Sequence, residues 1–130
     1  MTLPAATPTE TVDFVAPMLG LSPYTTFALA PVDGADGLFA LRSREADVRL
    51  FVIEAAVGVP DYAPRLPASA LEQIGAAAAD DVQVLVVANP SDEGIHLNLR
   101  APVLVHPASG RAVQAILDDQ DYPLRARLGG

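Results

Sequence analysis

The chain has 130 residues, 51% of them apolar, which suffices for one domain with its own hydrophobic core. Sixteen acidic side chains against eight basic ones, all arginine, give a net charge of -8, which argues against a nucleic-acid partner and favours a basic one. Net acidity is also an ordinary means of staying soluble. The chain has no cysteine, which excludes disulfides, thiolate metal sites and thiol catalysis.

Short apolar or alternating segments bounded by Pro, Gly, Asp or Asn predict strands along most of the chain. RLFVIE and IHLNLRA alternate as half-buried strands do, whereas VLVVA is apolar on both faces and suits a central strand. The predicted strands are residues 11–15, 25–32, 37–43, 48–55, 81–88, 94–101, 102–107 and 111–117. We therefore expect a single all-β domain, a sandwich or a small barrel, over residues 12–130, with residues 1–11 frayed or disordered.

One segment, PASALEQIG, predicts a short helix in this otherwise all-β chain. Ser69 and Glu72 have the S-x-x-E spacing of a capping box, and the helix should run from Ala70 to Ile74. Gly75 should end it in the left-handed conformation. Further along, Ser109-Gly110 predicts a hairpin turn.

Metal and catalytic motifs are missing where their spacing would show. His96 and His106 fall on neighbouring predicted strands but have no third ligand at metal-site spacing. Asp119 begins a D-x-D pattern, yet a calcium loop would need Gly and Glu where Leu124 and Gly130 stand. The chain has no nucleotide-binding motif and no nucleophile elbow. We expect no enzymatic activity, no cofactor and no metal.

No uninterrupted apolar stretch reaches the roughly 18 residues of a membrane span, and the N-terminus has no secretory signal pattern. We therefore expect a soluble, cytoplasmic protein.

Four spaced elements near the C-terminus form a specific pattern. Asn98-Leu99 and Ala101-Pro102 make N-L-x-A-P, Gln114 begins Q-x-x-L, and residues 122–125 read Y-P-L-R. Upstream, residues 60–62 match the turn of an F-P-D-Y motif. In this order and spacing the chain, from Phe14 to the C-terminus, resembles the bacterial flagellar assembly factor FliW family.

The chain departs from the pattern of that family in two places. Near the N-terminus, Pro17 and Leu19 stand where the family has Gly and Pro. Glu54-Ala55 stands in place of Asp-Pro.

The resemblance implies a mostly antiparallel β-barrel that binds proteins and has no catalytic activity. Proteins of the FliW family bind the translational repressor CsrA and release it from flagellin messenger RNA, and free flagellin competes for FliW. Since CsrA presents basic side chains to RNA, an acidic protein docked beside them would repel phosphate, so the association should be salt-sensitive. A small-molecule-binding barrel is the alternative function.

Acidic residues beside aromatic residues or turns are the candidates for partner binding, because tyrosine supplies rigid contact area with a polar tip. The candidates are Asp61, Tyr62, Asp92, Glu93, Asp118, Asp119, Asp121 and Tyr122. A structural alternative stays open: Tyr122 pins the C-terminal segment onto the barrel, and Tyr62 closes a turn. For Asn98 we expect a structural role, satisfying a neighbouring backbone group.

Overall fold

The structure, a computed structural model, describes residues 10–18, 24–32, 34, 37–43, 47–59, 62, 64–78, 81–91, 94–107, 109–117, 120, 122 and 126–127. Within these ranges the strands are β1 (Glu10–Phe14), β2 (Thr26–Pro31), β3 (Leu38–Ser43), β4 (Arg49–Glu54), β5 (Gln83–Ser91), β6 (Gly94–His106), β7 (Arg111–Gln114) and β8 (Ala126–Arg127). The helices are α1 (Ala55–Gly58) and α2 (Ala68–Gln73).

Strands β1 to β7 close into a barrel. Each strand from β1 to β6 pairs antiparallel with the next, and β7 pairs antiparallel with β6. The barrel closes where β7 pairs parallel with β1, at Asp13↔Arg111 and Phe14↔Ala112. Strand β8 lies outside this circle and adds to β6 at His96 and Leu97. The predicted all-β, mainly antiparallel barrel is confirmed.

Buried apolar side chains fill the barrel interior. In β2, Phe27 and Leu29 point inward, two residues apart as strand geometry requires. The rings of Phe14 and Phe27 meet edge to face with centroids 5.6 Å apart. The interior cluster consists of Val12, Phe14, Met18, Phe27, Leu29, Leu41, Val52, Leu85, Val103, Val105 and Ala112.

Two further clusters cover parts of the outer barrel surface. Ala70 of α2 and Ile74, the residue that follows the helix, belong to the first, over β6 and β7. The second centres on Ile53, Val86, Ala88, Leu97 and Leu99, with Tyr62 and Tyr122 packed against it. Strand β5 therefore has apolar cover on both faces, which explains the continuous VLVVA segment and confirms its prediction as a central strand.

Helix α2 begins earlier than predicted, and the prediction of a capping box is wrong. The N-cap is Pro67, with no side-chain cap bond, and Ser69 already lies inside the helix, where its hydroxyl cannot cap the first turn. The C-terminal end is confirmed. Gly75 has φ 78°, its amide donates to Glu72, and the amide of Ala76 donates to Leu71 at 2.9 Å. These two bonds form a Schellman motif, which requires the left-handed glycine.

Several strand boundaries differ from the predicted ones. The two strands predicted at 94–101 and 102–107 are one 13-residue strand, β6, which ends at His106, and Ala55 begins α1 instead of ending a strand. Strand β1 starts at Glu10, while residues 1–9 lie outside the described residues, so the frayed N-terminus stays a prediction. Gly110, with φ 77°, forms the predicted turn before β7. In the described parts of the chain, neither helix approaches the length or apolarity of a membrane span.

Candidate protein-binding surface

A large bulge interrupts β6 in the middle of the strand. Leu85 of β5 pairs with Val103, and Val87 pairs with Asn98. A single β5 residue, Val86, therefore faces the four residues 99–102 of β6. Extra residues in one strand leave backbone groups without ladder partners, so the fold must satisfy them in another way.

Asn98 satisfies the amide side of this bulge. Its Oδ1 accepts hydrogen bonds from the backbone N–H groups of Arg100 and Ala101, each at 3.1 Å. The next residue, Pro102, has no N–H to satisfy. The predicted structural role of Asn98 is confirmed.

The four carbonyl groups of the bulge, from Leu99 to Pro102, each accept a hydrogen bond from a residue outside it. Their donors, in order, are Tyr62 Oη, Leu117 N at 2.8 Å, Gln114 Nε2 at 3.4 Å and Ala115 N at 2.9 Å. The N-L-x-A-P pattern of the sequence thus forms the bulge, and the Q-x-x-L pattern forms the chain that bonds to it.

Tyr62 also contacts the bulge. Its hydroxyl donates to the carbonyl of Leu99, and its ring meets that of Tyr122 edge to face, with centroids 4.9 Å apart and planes at 76°. Burial, with a smaller contribution from the neighbouring Tyr122, raises the pKa of Tyr62 well above its ordinary value. The hydroxyl therefore stays protonated at neutral pH and acts as a hydrogen-bond donor.

The C-terminal segment is also joined to the chain before α2. The backbone N–H of Arg65 donates to Gln120 Oε1 at 2.8 Å, and Gln120 Nε2 donates to the carbonyl of Arg65 at 2.8 Å. The side-chain amide of Gln120 thus imitates the peptide group of a paired strand. Sequence reasoning missed Gln120, although its position among Asp118, Asp119 and Asp121 was a signal for a distinct role.

Two of the eight candidate binding residues, Tyr62 and Tyr122, are described, and they contact each other. This contact supports the structural alternative given for both, while partner contact through their exposed portions stays a prediction. The remaining candidates, Asp61, Asp92, Glu93, Asp118, Asp119 and Asp121, lie outside the described residues. Four of these six lie within two residues of Tyr62, Gln120 or Tyr122, which the fold brings together.

A groove of about 360 Å³ lies next to Tyr62 and opens to solvent. Its lining consists of Glu54, Ala55, Tyr62, Pro64, Val82, Gln83 and Val84. Gln83 Nε2 donates to Glu54 Oε1 at 2.9 Å, across the β4–β5 pair. Sequence reasoning did not single out Glu54 as a binding residue; the signal available was that an acidic residue ends an otherwise apolar strand.

A smaller cavity, of about 260 Å³, lies where Met18 meets β4, β5, β6 and β7. Asn89, Asn98 and Gln114 contribute amide groups to it, and Val87 and Leu50 contribute apolar surface. Asn98 Oδ1 and Gln114 Nε2 already bond to the backbone of the β6 bulge. Two of the three amides are therefore partly engaged in holding the fold.

The sequence suggested that the two histidines lie on neighbouring strands, and this prediction is wrong. Because residues 94–106 form one strand, His96 and His106 are ten residues apart along β6, which at about 3.3 Å per residue is too far for them to share a metal ion, even with the bulge between them. His106 Nδ1 lies 3.0 Å from Ser109 Oγ in the turn that follows. Within the described ranges, no three His, Asp or Glu side chains come together as a metal site would require.

Comparison with known proteins agrees with this architecture. The chain is 35% identical over 124 residues to the flagellar assembly factor FliW of Exiguobacterium sp., covering 93% of this chain and 85% of that protein. It is 32% identical over 123 residues to the flagellar assembly factor FliW of Syntrophotalea carbinolica, covering 93% and 88%.

A crystal structure of the flagellar assembly factor FliW has the same fold. It superposes with a TM-score of 0.82 at 23% identity, covering 90% of this chain and 84% of the other. The family model described as FliW protein matches residues 3–128. The chain therefore belongs to the FliW family of flagellar assembly factors.

Proposed function

We propose that this protein is a cytoplasmic, non-catalytic regulator that binds the translational repressor CsrA and flagellin in turn. When flagellin is scarce, the protein holds CsrA away from flagellin messenger RNA. When flagellin accumulates, it occupies the protein and frees CsrA to repress. The observation that carries the proposal is membership of the FliW family over nearly the whole chain.

The charge of the chain supports a basic protein partner. A net charge of -8 on 130 residues produces a negative field that attracts a cationic surface and repels phosphate. An RNA-binding protein carries clustered cationic side chains, so docking beside them would both form favourable contacts and disfavour RNA. Binding would therefore weaken as salt rises.

The described chemistry supports a binding role over a catalytic one. Tyr62 has a raised pKa and its hydroxyl is committed to Leu99, which makes it a poor acid or base at neutral pH. Glu54 is held by a neutral amide, Gln83, and the part of its groove that the structure describes has no second carboxylate.

A small-molecule-binding barrel receives less support. Side chains of the interior cluster fill the centre of the barrel. The cavity of about 260 Å³ beside Met18 is below the range of about 300–1,000 Å³ that ligand pockets usually occupy. The grooves of about 360 Å³ beside Tyr62 and about 460 Å³ between β3 and β4 fall within that range but open to solvent, outside the filled barrel interior.

The proposal is tested by mixing the purified protein with CsrA from the same organism at low salt. Size-exclusion chromatography with light scattering should show a heteromeric complex, and calorimetry should show heat of binding. Added flagellin should displace CsrA from the complex. Failure to bind either protein at low salt would contradict the proposal.

A further inference from the structure

The groove beside Tyr62 has the features of a receptor for one basic side chain. We propose that it binds a lysine or arginine side chain of the partner protein, with the Glu54 carboxylate as the counter-ion. This inference rests on the proposed function, since it assigns a point of contact for a basic partner.

Glu54 is held in place before any partner arrives. It ends β4, where its N–H donates to the carbonyl of Gly37 at 2.8 Å. Gln83 Nε2 binds one carboxylate oxygen, Oε1, at 2.9 Å. No described residue forms an ion pair or hydrogen bond with the other oxygen. A fixed carboxylate whose second oxygen has no partner among the described residues can accept a charge-assisted hydrogen bond.

The walls suit the rest of a long basic side chain. Ala55, Pro64, Val82 and Val84 line the groove with apolar surface. Lysine and arginine bury their methylene stems against such surface while the charged head reaches a polar group. The groove therefore offers separate places for stem and head.

The aromatic wall is rigid and attracts cations. Tyr62 lines the groove, and its position is fixed by Leu99 at its hydroxyl and by the ring of Tyr122. A cation near a tyrosine ring gains electrostatic attraction in addition to its attraction to a carboxylate. Because the ring is already ordered, binding would not have to immobilise it.

Size and charge exclude other occupants. At about 360 Å³ the groove lies near the lower end of ligand-site volumes, so a single side chain fits better than a cofactor. The carboxylate would repel an anion. A calcium or magnesium ion needs several oxygen ligands, and Glu54 is the one carboxylate among the described residues that line the groove.

The test uses small probes that carry only the proposed side chain. N-acetyl-L-arginine amide and N-acetyl-L-lysine amide are titrated into ¹⁵N-labelled protein, with N-acetyl-L-norleucine amide as the uncharged control. The side-chain amide resonances of Gln83 should shift with the two basic probes and stay in place with norleucine. An unshifted Gln83, or equal shifts with all three probes, would overturn the inference.

The matched variant is Glu54→Gln, which keeps an oxygen acceptor for Gln83 and removes only the charge. Its thermal midpoint should equal that of wild type, and the response of Gln83 to the basic probes should disappear. Glu72→Gln is the control, because it removes an exposed carboxylate on α2 outside the groove lining. Glu72→Gln should respond to the probes as wild type does.

A second measurement separates this inference from the proposed function. Calorimetry should show that Glu54→Gln weakens CsrA binding about tenfold, the loss expected for one charge-assisted contact, while Glu72→Gln changes it less than about twofold. Equal binding by wild type and Glu54→Gln would overturn the groove assignment and leave the proposed function intact. A wild-type protein that does not bind CsrA would contradict the proposed function, and the probe titration would then decide the groove alone.

Discussion

A single amide side chain, Asn98, makes the irregular part of β6 compatible with a buried position. One oxygen accepts two backbone N–H groups that have lost their ladder partners. No apolar residue of similar size could replace it, because both amides would remain unsatisfied.

Replacing Asn98 by Ala should therefore lower the free energy of unfolding by about 1–3 kcal/mol. Asn98→Asp keeps an oxygen acceptor at the same place, so its free energy of unfolding should fall by less. Urea denaturation followed by circular dichroism measures both. A loss below about 0.5 kcal/mol for Asn98→Ala, the range of ordinary surface substitutions, would show that the bulge does not depend on this side chain.

Because of Tyr62, the stability of the folded protein should depend on pH in the alkaline range. Its folded-state pKa is raised by burial, whereas an unfolded tyrosine titrates near pH about 10. The unfolded chain therefore releases this proton first, and the stability contributed by neutral Tyr62 is complete below that pH and is lost as pH rises further.

The comparison of wild type with Tyr62→Phe isolates this effect, because Tyr24 and Tyr122 are present in both. At pH about 8 the variant should be less stable by about 1 kcal/mol, the value of one hydrogen bond. Above pH about 10 the wild type should lose up to about 1.4 kcal/mol per pH unit relative to the variant, so the two stability curves converge. Parallel curves in urea titrations across this range would contradict the burial of the Tyr62 hydroxyl.

At the scale of elements, the C-terminal segment behaves as a strap across the barrel, defined by Leu117, Gln120, Tyr122 and β8. Each part bonds at a different place: Leu117 at the β6 bulge, Gln120 at Arg65, and β8 at the start of β6. Strand β8 covers an edge of β6 that would otherwise present unpaired backbone groups.

Gln120→Ala should loosen this strap. The amide of Arg65 loses its acceptor, so its hydrogen exchange should accelerate at least about tenfold, as expected when local opening becomes easier by about 1.4 kcal/mol. Gln120→Glu keeps that acceptor and loses only the donor to Arg65 O, so the Arg65 amide should stay more protected than in Gln120→Ala. NMR measures the hydrogen-exchange rate of the Arg65 amide. Equal rates in wild type, Gln120→Ala and Gln120→Glu would contradict the strap.

Short-range patterns predicted most elements, and long-range contacts decided the rest. Alternation identified β1 to β7 because side-chain burial follows the strand period. The S-x-x-E spacing at Ser69 misplaced the start of α2, because the helix begins two residues earlier, at Ala68, with Pro67 as its N-cap. The break assumed at Pro102 was wrong, since the bulge absorbs that proline within one strand. Strand β8, two residues long, has no pattern of its own and depends on contact with β6.

At the scale of the whole molecule, the strand pair that closes the barrel could not be predicted from the residues alone. The parallel β1–β7 pair joins segments about a hundred positions apart, and local sequence carries no signal for such pairing. The tyrosine pair and the Gln120–Arg65 pair are equally non-local. The candidate acidic residues, by contrast, could be proposed from charge and sequence neighbourhood, and their contribution to binding stays a prediction.

The central claim is that this acidic barrel recognises a basic protein through electrostatic attraction, with Asp118, Asp119 and Asp121 among its carriers. The direct test is calorimetry of CsrA binding between about 50 and about 300 mM NaCl, with wild type and with the three aspartates replaced by asparagine. Affinity of wild type should fall steadily as salt rises, and the triple variant should bind more weakly with a shallower salt dependence. A triple variant with wild-type affinity and an unchanged response to salt would contradict the claim.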